Sequence, residues 1–484
     1  MPLLRIARGR TWLIGLCGLF AFAQTLAYAA YLRDDPGNYN GAGAQGDQVA
    51  YIDLAQQVLH GTWQGAVHYM PGLPAVIAVG QLIFGDARLG IAVIQALVYA
   101  LLVVLAARLA AAAFGEGAAT WAAAAVGLNP ALGYYAAQAL TEFLTAALLL
   151  GLAGAVYVWA RQPSVRGLAW AGLLVGGAAY LRAEYLALAP LVALIGLWIG
   201  RRRAIVGSVA LLGVTALVMA PWVGRYALAT GTPALYNESP FSNLVLMGTW
   251  FRVFDEQTFS RLQQIETAPG PREDAIASAA TVGPRPDLSE RYMQQARGPY
   301  ERPMAETLGL ALGNIQLNLR QYLVNHLVLA PVLIWAGHTP VRQADAPRLP
   351  ATGRYAIWAA EMALLGLALW QAIAGLAGAR ASAETPGSHA GPGQSLSEVR
   401  PTATCAENRL LGRTSRGEAD TRAVRALSVT FLVIVAFLTA VHILIAVDER
   451  FTIPALPLVG LFAGARLSSL SWPSPVLAAS RRPT

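Results

Sequence analysis

The chain has 484 residues, of which 56% are hydrophobic and only 13% charged, about half the charge of an ordinary soluble domain. Its formal charge of +8 is carried by arginine alone, for the sequence contains no lysine, and the arginines gather in short clusters at the ends of apolar runs. That distribution speaks against a nucleic-acid-binding face, which would need basic residues spread over one surface, and for a chain that crosses a membrane repeatedly.

A hydrocarbon core about 30 Å thick takes roughly 20 helical residues to cross. Suitable runs fall near 11–32, 87–113, 118–138, 142–160, 167–181, 185–200, 204–221, 355–378, 426–447 and 451–469. The expected fold class is therefore an all-α integral membrane protein, a bundle of about ten transmembrane helices. Arg5, Arg8 and Arg10 precede the first run and no small-residue cleavage site follows it, so it is expected to remain as a helix. One threading puts Arg8, Arg10, Arg108, Arg161, Arg166, Arg201 to Arg203, the arginines of 380–425, Arg466, Arg481 and Arg482 in the cytoplasm. Both chain ends are then inside, and 33–86, 139–141, 182–184, 222–354 and 448–450 are outside. Cys17 and Cys405 fall at different depths and supply no disulfide framework.

The first external segment contains GDQVAYIDLAQQVLHG. Helical spacing sets Asp47, Tyr51, Leu54 and Val58 on one stripe, with Asp53 roughly 120° away from Asp47. Asp47 then suits an N-cap of its own helix or a cavity-facing carboxylate. Residues 71–85 begin at a Pro-Gly turn, are too short to cross, and are expected to lie along the interface. Thr141 and Glu142 open the fourth run, where Glu142 either serves a site or helps Thr141 cap the helix. Arg182 and Glu184 occupy the tight turn between the fifth and sixth runs, and an ion pair between them or contact with lipid headgroups competes with a role in substrate binding.

Three regions follow from this pattern: an N-terminal membrane module over 1–221 that includes the external loop 33–86, a small external or interfacial lobe over 222–354, and C-terminal hairpins over 355–484. Within the lobe, LGNIQLNLRQYLVNHLVLAPVLIW carries Asn314, Arg320, Asn325 and His326, which are costly at bilayer depth, so it is read as an interfacial helix pair. Residues 379–424, rich in Gly, Ser, Thr, Ala, Pro and Arg, read as a cytoplasmic linker without a packed core. Asp448, Glu449 and Arg450 occupy the last hairpin. Thus the acids and arginines of four separate hairpins meet one membrane face. A transporter would instead place broken helices, paired repeats and polar residues at mid-depth, and none is evident in the sequence.

Five stretches in series carry a resemblance. GDQVAYIDLAQQVLHG followed by HYMPGLPAVIA looks like the first external loop of the GT-C glycosyltransferases, the superfamily of protein O-mannosyltransferases and lipid A aminoarabinose transferases. NPALGYYAAQALTEFLTAALLL is similar to their third and fourth spans, AAYLRAEYLALAPL to their Leu-Arg turn, MAPWVGRYALATGTPALYNESPFSNLVLMG to the point where the chain leaves the membrane, and DERFTIPALPLVGLFAGA to their last hairpin. The chain departs in two places. Many relatives carry adjacent acids where this one has Gly46-Asp47, and aminoarabinose-type relatives place a basic residue before Pro-Pro where this one reads His68-Tyr69-Met70-Pro71-Gly72.

The resemblance implies a sugar linked through one phosphate to a polyprenyl chain, transferred with inversion to a hydroxyl of a glycan, lipid or protein at the periplasmic face of a bacterial inner membrane. Asp47 would be the general base, with Tyr51, Asp53, His68, Glu142 and Glu184 around the substrate. The phosphate partner must be arginine, Arg182 first and then Arg225 and Arg450. No cofactor is required, although a divalent cation bridging acid and phosphate is compatible; His60 and His68 match no ligand motif. A lipid-linked sugar flippase or transporter and an envelope polymer ligase are the competing readings.

Overall fold

A computed structural model of the chain describes residues 8–33, 47–62, 69–199, 202–231, 233–235, 239–249, 295, 303–337, 350–383, 404–445 and 449–471. Every regular element among them is helical. In chain order these are α1 (Arg8–Arg33), α2 (Asp47–Leu59), α3 (Gly72–Phe84), α4 (Ala87–Phe114), α5 (Glu116–Gly127), α6 (Pro130–Ala136), α7 (Thr141–Arg161) and α8 (Val165–Leu181). A 3-10 turn over Ala183–Ala187 leads into α9 (Leu188–Ile199), α10 (Arg202–Thr230), α11 (Ser239–Gly248) and α12 (Met304–Leu317). Then come α13 (Leu319–Val324), which runs on through π-helical turns to Gly337, α14 (Ala351–Ala383), α15 (Thr404–Ile445) and, after another 3-10 turn, α16 (Leu456–Ser471).

Among the described residues, seven helices are long and apolar enough to cross a membrane, and shorter apolar helices accompany them; this is a multi-pass membrane protein. Every expected span contains a helix, including the short one near 167–181, whose 17 residues reach about 25 Å. The third is broken. Asn129 extends the chain between α5 and α6, and its side-chain oxygen accepts from the Leu132 backbone N–H, capping α6 ahead of Pro130. Further on, α10 passes straight through Pro221 and continues to Thr230, beyond the boundary expected at 221. A proline costs one helical hydrogen bond but does not have to end a membrane helix.

Lipid offers no hydrophobic drive for helices to meet, so close approach between small residues holds such bundles together. A Cβ on Gly80 of α3 would lie 2.8 Å from the carbonyl carbon of Gly90 in α4, which is why both positions are glycine. Gly464 of α16 rests on the backbone of Ala122 in α5 in the same manner.

Two differences from the sequence reading stand out. The segment 379–424 is not all linker, because α15 begins at Thr404 and so adds 404–424 to a continuous helix. Its Ala, Leu, Arg and Glu content favours helix, and Asp420 is fixed by a 2.6 Å ion pair with Arg161. Polar groups also lie at mid-depth. Gln24 donates to the Tyr99 hydroxyl and the Gly127 carbonyl, Tyr99 donates to the Val126 and Asn129 carbonyls, and Asn129 Nδ2 donates to Glu361 Oε1 at 2.8 Å. Glu361 sits about 15 Å along α14 from Ala351. The helix break explains the cluster: it frees carbonyls that must find donors inside the protein.

The bundle has two chemically distinct ends. Helix α7 starts at Thr141 and ends at Arg161, about 30 Å away. At the Arg161 end lie Asp420, Arg425 over the Trp198 ring and Arg466 over the Trp370 ring. The other end gathers the acids.

Candidate active site

Helix α2 buries Tyr51, Leu54 and Ala55, and Tyr51 and Ala55 pack with Leu73 and Ile77 of α3, with Ala139 and with Leu181 of α8. The predicted stripe is therefore the packed one, and it fixes where Asp47 stands. Asp47 opens the helix, and its Oδ1 accepts a 3.1 Å hydrogen bond from the Tyr69 hydroxyl. Tyr69 in turn packs edge-on against Tyr51, centroids 4.8 Å apart. Asp53 is exposed on the opposite side of α2, as the helical angle requires, and stands apart from this group.

Glu142 occupies the first turn of α7 with its side chain 3% exposed, and the Thr141 hydroxyl lies 3.5 Å from its Oε2. Arg182 ends α8 by turning to an extended conformation. Its Nη1 lies 3.5 Å from Glu142 Oε1, while Nε is in direct contact with Glu184 Oε1. Two of the sequence candidates thus hold a third. Burial works against the Arg182 cation, but Glu184 and then Glu142 outweigh it and raise the guanidinium above its ordinary value.

Tyr51 joins the two groups. Its phenol is pushed well above the usual range, first by burial, then by the Asp47 carboxylate; Arg182 opposes this, and Glu142 and Tyr69 add to it. Asp47 is linked to Tyr51 through Tyr69, and Glu142 to the end of α8 through Arg182, so groups far apart in sequence gather at this end of the bundle. Glycine makes the meeting possible: a Cβ on Gly72 would lie 2.5 Å from the Tyr180 carbonyl oxygen, so the start of α3 rests directly on the end of α8.

Beside this group, Met70 packs with Ala179, Met219, Trp222 and Tyr226, bringing the end of α10 against the Tyr69 segment. Trp222 Nε1 donates to the Leu235 carbonyl at 2.6 Å. Arg225, on the same helical turn, is exposed. His68 and the Arg450 side chain lie outside the described residues. His60 is exposed and bonded to the Gln56 carbonyl, and no cluster of three His, Cys, Asp or Glu suited to a metal exists among the described residues.

Sequence reasoning passed over three contributors. Tyr69 was quoted but given no role. Gln48 Nε2 donates to Gln138 Oε1 at 3.0 Å while Gln48 Oε1 accepts from the Ala139 N–H at 3.1 Å, which ties α2 to the approach of α7. No motif announces such an amide pair. Glu361 was detectable in principle, as an acid inside an apolar run.

Residues 68–224 match the family model of dolichyl-phosphate-mannose-protein mannosyltransferases. The matched module is of the GT-C superfamily. The GT-C module contains Tyr69, Gln138, Glu142, Arg182, Glu184 and Arg225, while Asp47 and Gln48 precede it. No curated protein matches the chain. Among solved structures, the Archaeoglobus fulgidus oligosaccharyltransferase AglB in complex with an inhibitory peptide and a dolichol-phosphate is 12% identical with a TM-score of 0.49, over 98% of this chain and 51% of that one. The A. fulgidus oligosaccharyltransferase in the apo form gives 12% and 0.43 over 96% and 52%, and its complex with Zn and sulfate 14% and 0.41 over 92% and 53%. The chain spans about half the length of these proteins.

Proposed function

We propose that the protein is an inverting glycosyltransferase that moves a sugar from a polyprenyl-phosphate donor to a hydroxyl of an envelope glycan, lipid or protein. Asp47 is the general base. It takes the proton of the acceptor hydroxyl as that oxygen bonds to the anomeric carbon, and the bond from the anomeric carbon to the phosphate oxygen breaks on the opposite face. A single displacement inverts the centre. Positioned proton transfer of this kind contributes about 10² to 10⁴ in rate. The Tyr69 hydroxyl orients the Asp47 carboxylate, and Tyr51 and Glu142 wall the site.

The roles of the arginines divide in this reading. Arg182 is engaged by Glu142 and Glu184, so its task is to hold Glu142 in place, and Arg225, exposed at the end of α10, takes the leaving phosphate together with Arg450. Asp53 remains at the rim, and His68 keeps its expected role in binding the substrate. The acid-rich end faces outward from a bacterial inner membrane, because the arginine-rich end obeys the bias of basic residues toward the cytoplasm.

The observation that carries the reading is that Asp47, bonded to Tyr69 beside Tyr51, and the Glu142–Arg182–Glu184 ion pairs gather where the start of α3 rests on the end of α8. Replacing Asp47 by Asn keeps its shape and removes its basicity, so transfer from a polyprenyl-phosphate sugar should cease in purified, lipid-supplied protein that still runs as a folded species. Turnover within about ten-fold of the parent chain would remove Asp47 as base. The mid-depth cluster around Glu361 is the feature a lipid-linked sugar transporter would use; movement of labelled donor across vesicles without chemical change would favour that function instead.

A further inference from the structure

The amide orientations beside Asp47 are dictated by backbone groups. The Ala139 N–H can only donate, so the Gln48 atom that meets it at 3.1 Å is Oε1. Gln48 therefore turns Nε2 toward Gln138, which must answer with Oε1, at 3.0 Å. Gln138 Nε2 is then left over. Likewise the Gln138 main-chain carbonyl can only accept, so Gln95 presents Nε2 to it at 2.7 Å, and Gln95 Oε1 is left over. Neither conclusion depends on an arbitrary choice between amide oxygen and nitrogen. Among the described residues, both atoms are buried without a hydrogen-bond partner, in residues that are 5% and 0% exposed.

A buried polar group left unpaired carries its full desolvation penalty. Here one donor and one acceptor stand on two residues that touch each other. A hydroxyl carries both functions the pair lacks, an oxygen that can accept from Gln138 and a proton that can be donated to Gln95. Gln48 follows the proposed base and Gln138 closely precedes Thr141 and Glu142, so the pair borders the candidate site.

We propose that Gln138, with Gln95 beneath it and Gln48 fixing its orientation, reads one hydroxyl of the transferred sugar and so determines which sugar is accepted. The proposal rests on the glycosyltransferase reading. It also gives Gln48 a chemical reason to be an amide. A carboxylate at 48 would accept from both Ala139 N–H and Gln138 Nε2, and would consume the donor that the sugar needs.

The test uses the full chain with polyprenyl-phosphate mannose, polyprenyl-phosphate glucose and their mono-deoxy analogues, read as kcat/KM and as donor-induced thermal stabilisation. The parent chain should disfavour one deoxy analogue by about ten-fold, the worth of one neutral hydrogen bond. Gln138→Leu should weaken the parent sugar by a similar factor and abolish that preference, and Gln48→Glu should do the same with residue 138 intact. The isosteric Gln138→Glu serves if Gln138→Leu fails to fold. Unchanged discrimination in these variants would overturn the proposal and leave the two atoms a packing role. If Asp47→Asn retains turnover while Gln138→Leu loses discrimination, the base is wrong and the subsite stands; the reverse result sinks the subsite alone. Should the parent chain neither turn over nor bind any of these donors, both readings fall.

Discussion

Arg182→Met removes the cation paired with Glu142. The side chain of Glu142 is 3% exposed, that of Glu184 24% and that of Arg182 19%, so the losses differ. Glu184 regains water and contributes little, as exposed pairs do. Glu142 stays buried, and removing one partner of a buried pair costs about 3–5 kcal/mol. At the lower end, about 3 kcal/mol, the folded fraction relative to the unfolded falls roughly 100-fold. Thermal unfolding in one detergent at one heating rate should show a midpoint lower by about 3 °C. Glu142→Gln alone leaves Arg182 with Glu184 and should cost far less. The double variant removes both charges and should recover most of the stability. If Arg182→Met melts with the parent chain, or the double variant is no better than Arg182→Met, the buried pair does not hold this end of the bundle together.

Gly72→Ala would drive a methyl against the Tyr180 carbonyl oxygen, 2.5 Å away, at an overpacking cost of about 1–3 kcal/mol. Because that contact seats the start of α3, three residues after Tyr69, on the end of α8, two residues before Arg182, donor turnover should fall by more than the melting temperature alone explains, measured in detergent below the melting range. Asn129→Leu deletes both the α6 cap and the donor to Glu361 and should lower stability by about 2 kcal/mol. Glu361→Gln keeps an oxygen for Asn129 and should change it by less than about 0.5 kcal/mol; comparing the two melting curves checks both values.

Much of the architecture was legible because the bilayer enforces it. A span must be long, apolar and helical, so composition and run length located a helix in every expected span, although α10 ends and α15 begins well outside the expected bounds, and the arginine clusters separated one end from the other. Segment breaks were harder. Asn129 and Pro130 interrupt a run whose hydropathy hardly changes, and Pro221, which looks like a terminator, sits inside a continuous helix. The helix 404–424 was missed since low hydropathy was taken for lack of structure, although charged helix formers propagate a helix well.

By itself the sequence determined a multi-pass helical chain, the stripe on which Asp47 and Tyr51 lie, and the end at which the acids collect. Those properties follow from periodicity and solvent, which are local. Tertiary structure alone decided that Arg182 is held by Glu142 and Glu184, that Tyr69 reaches Asp47, and that Gln48, Gln95 and Gln138 form one amide chain. Each of these depends on which helices touch, and contact between small residues such as Gly72, Gly80 and Gly90 leaves no periodic mark from which a partner can be read.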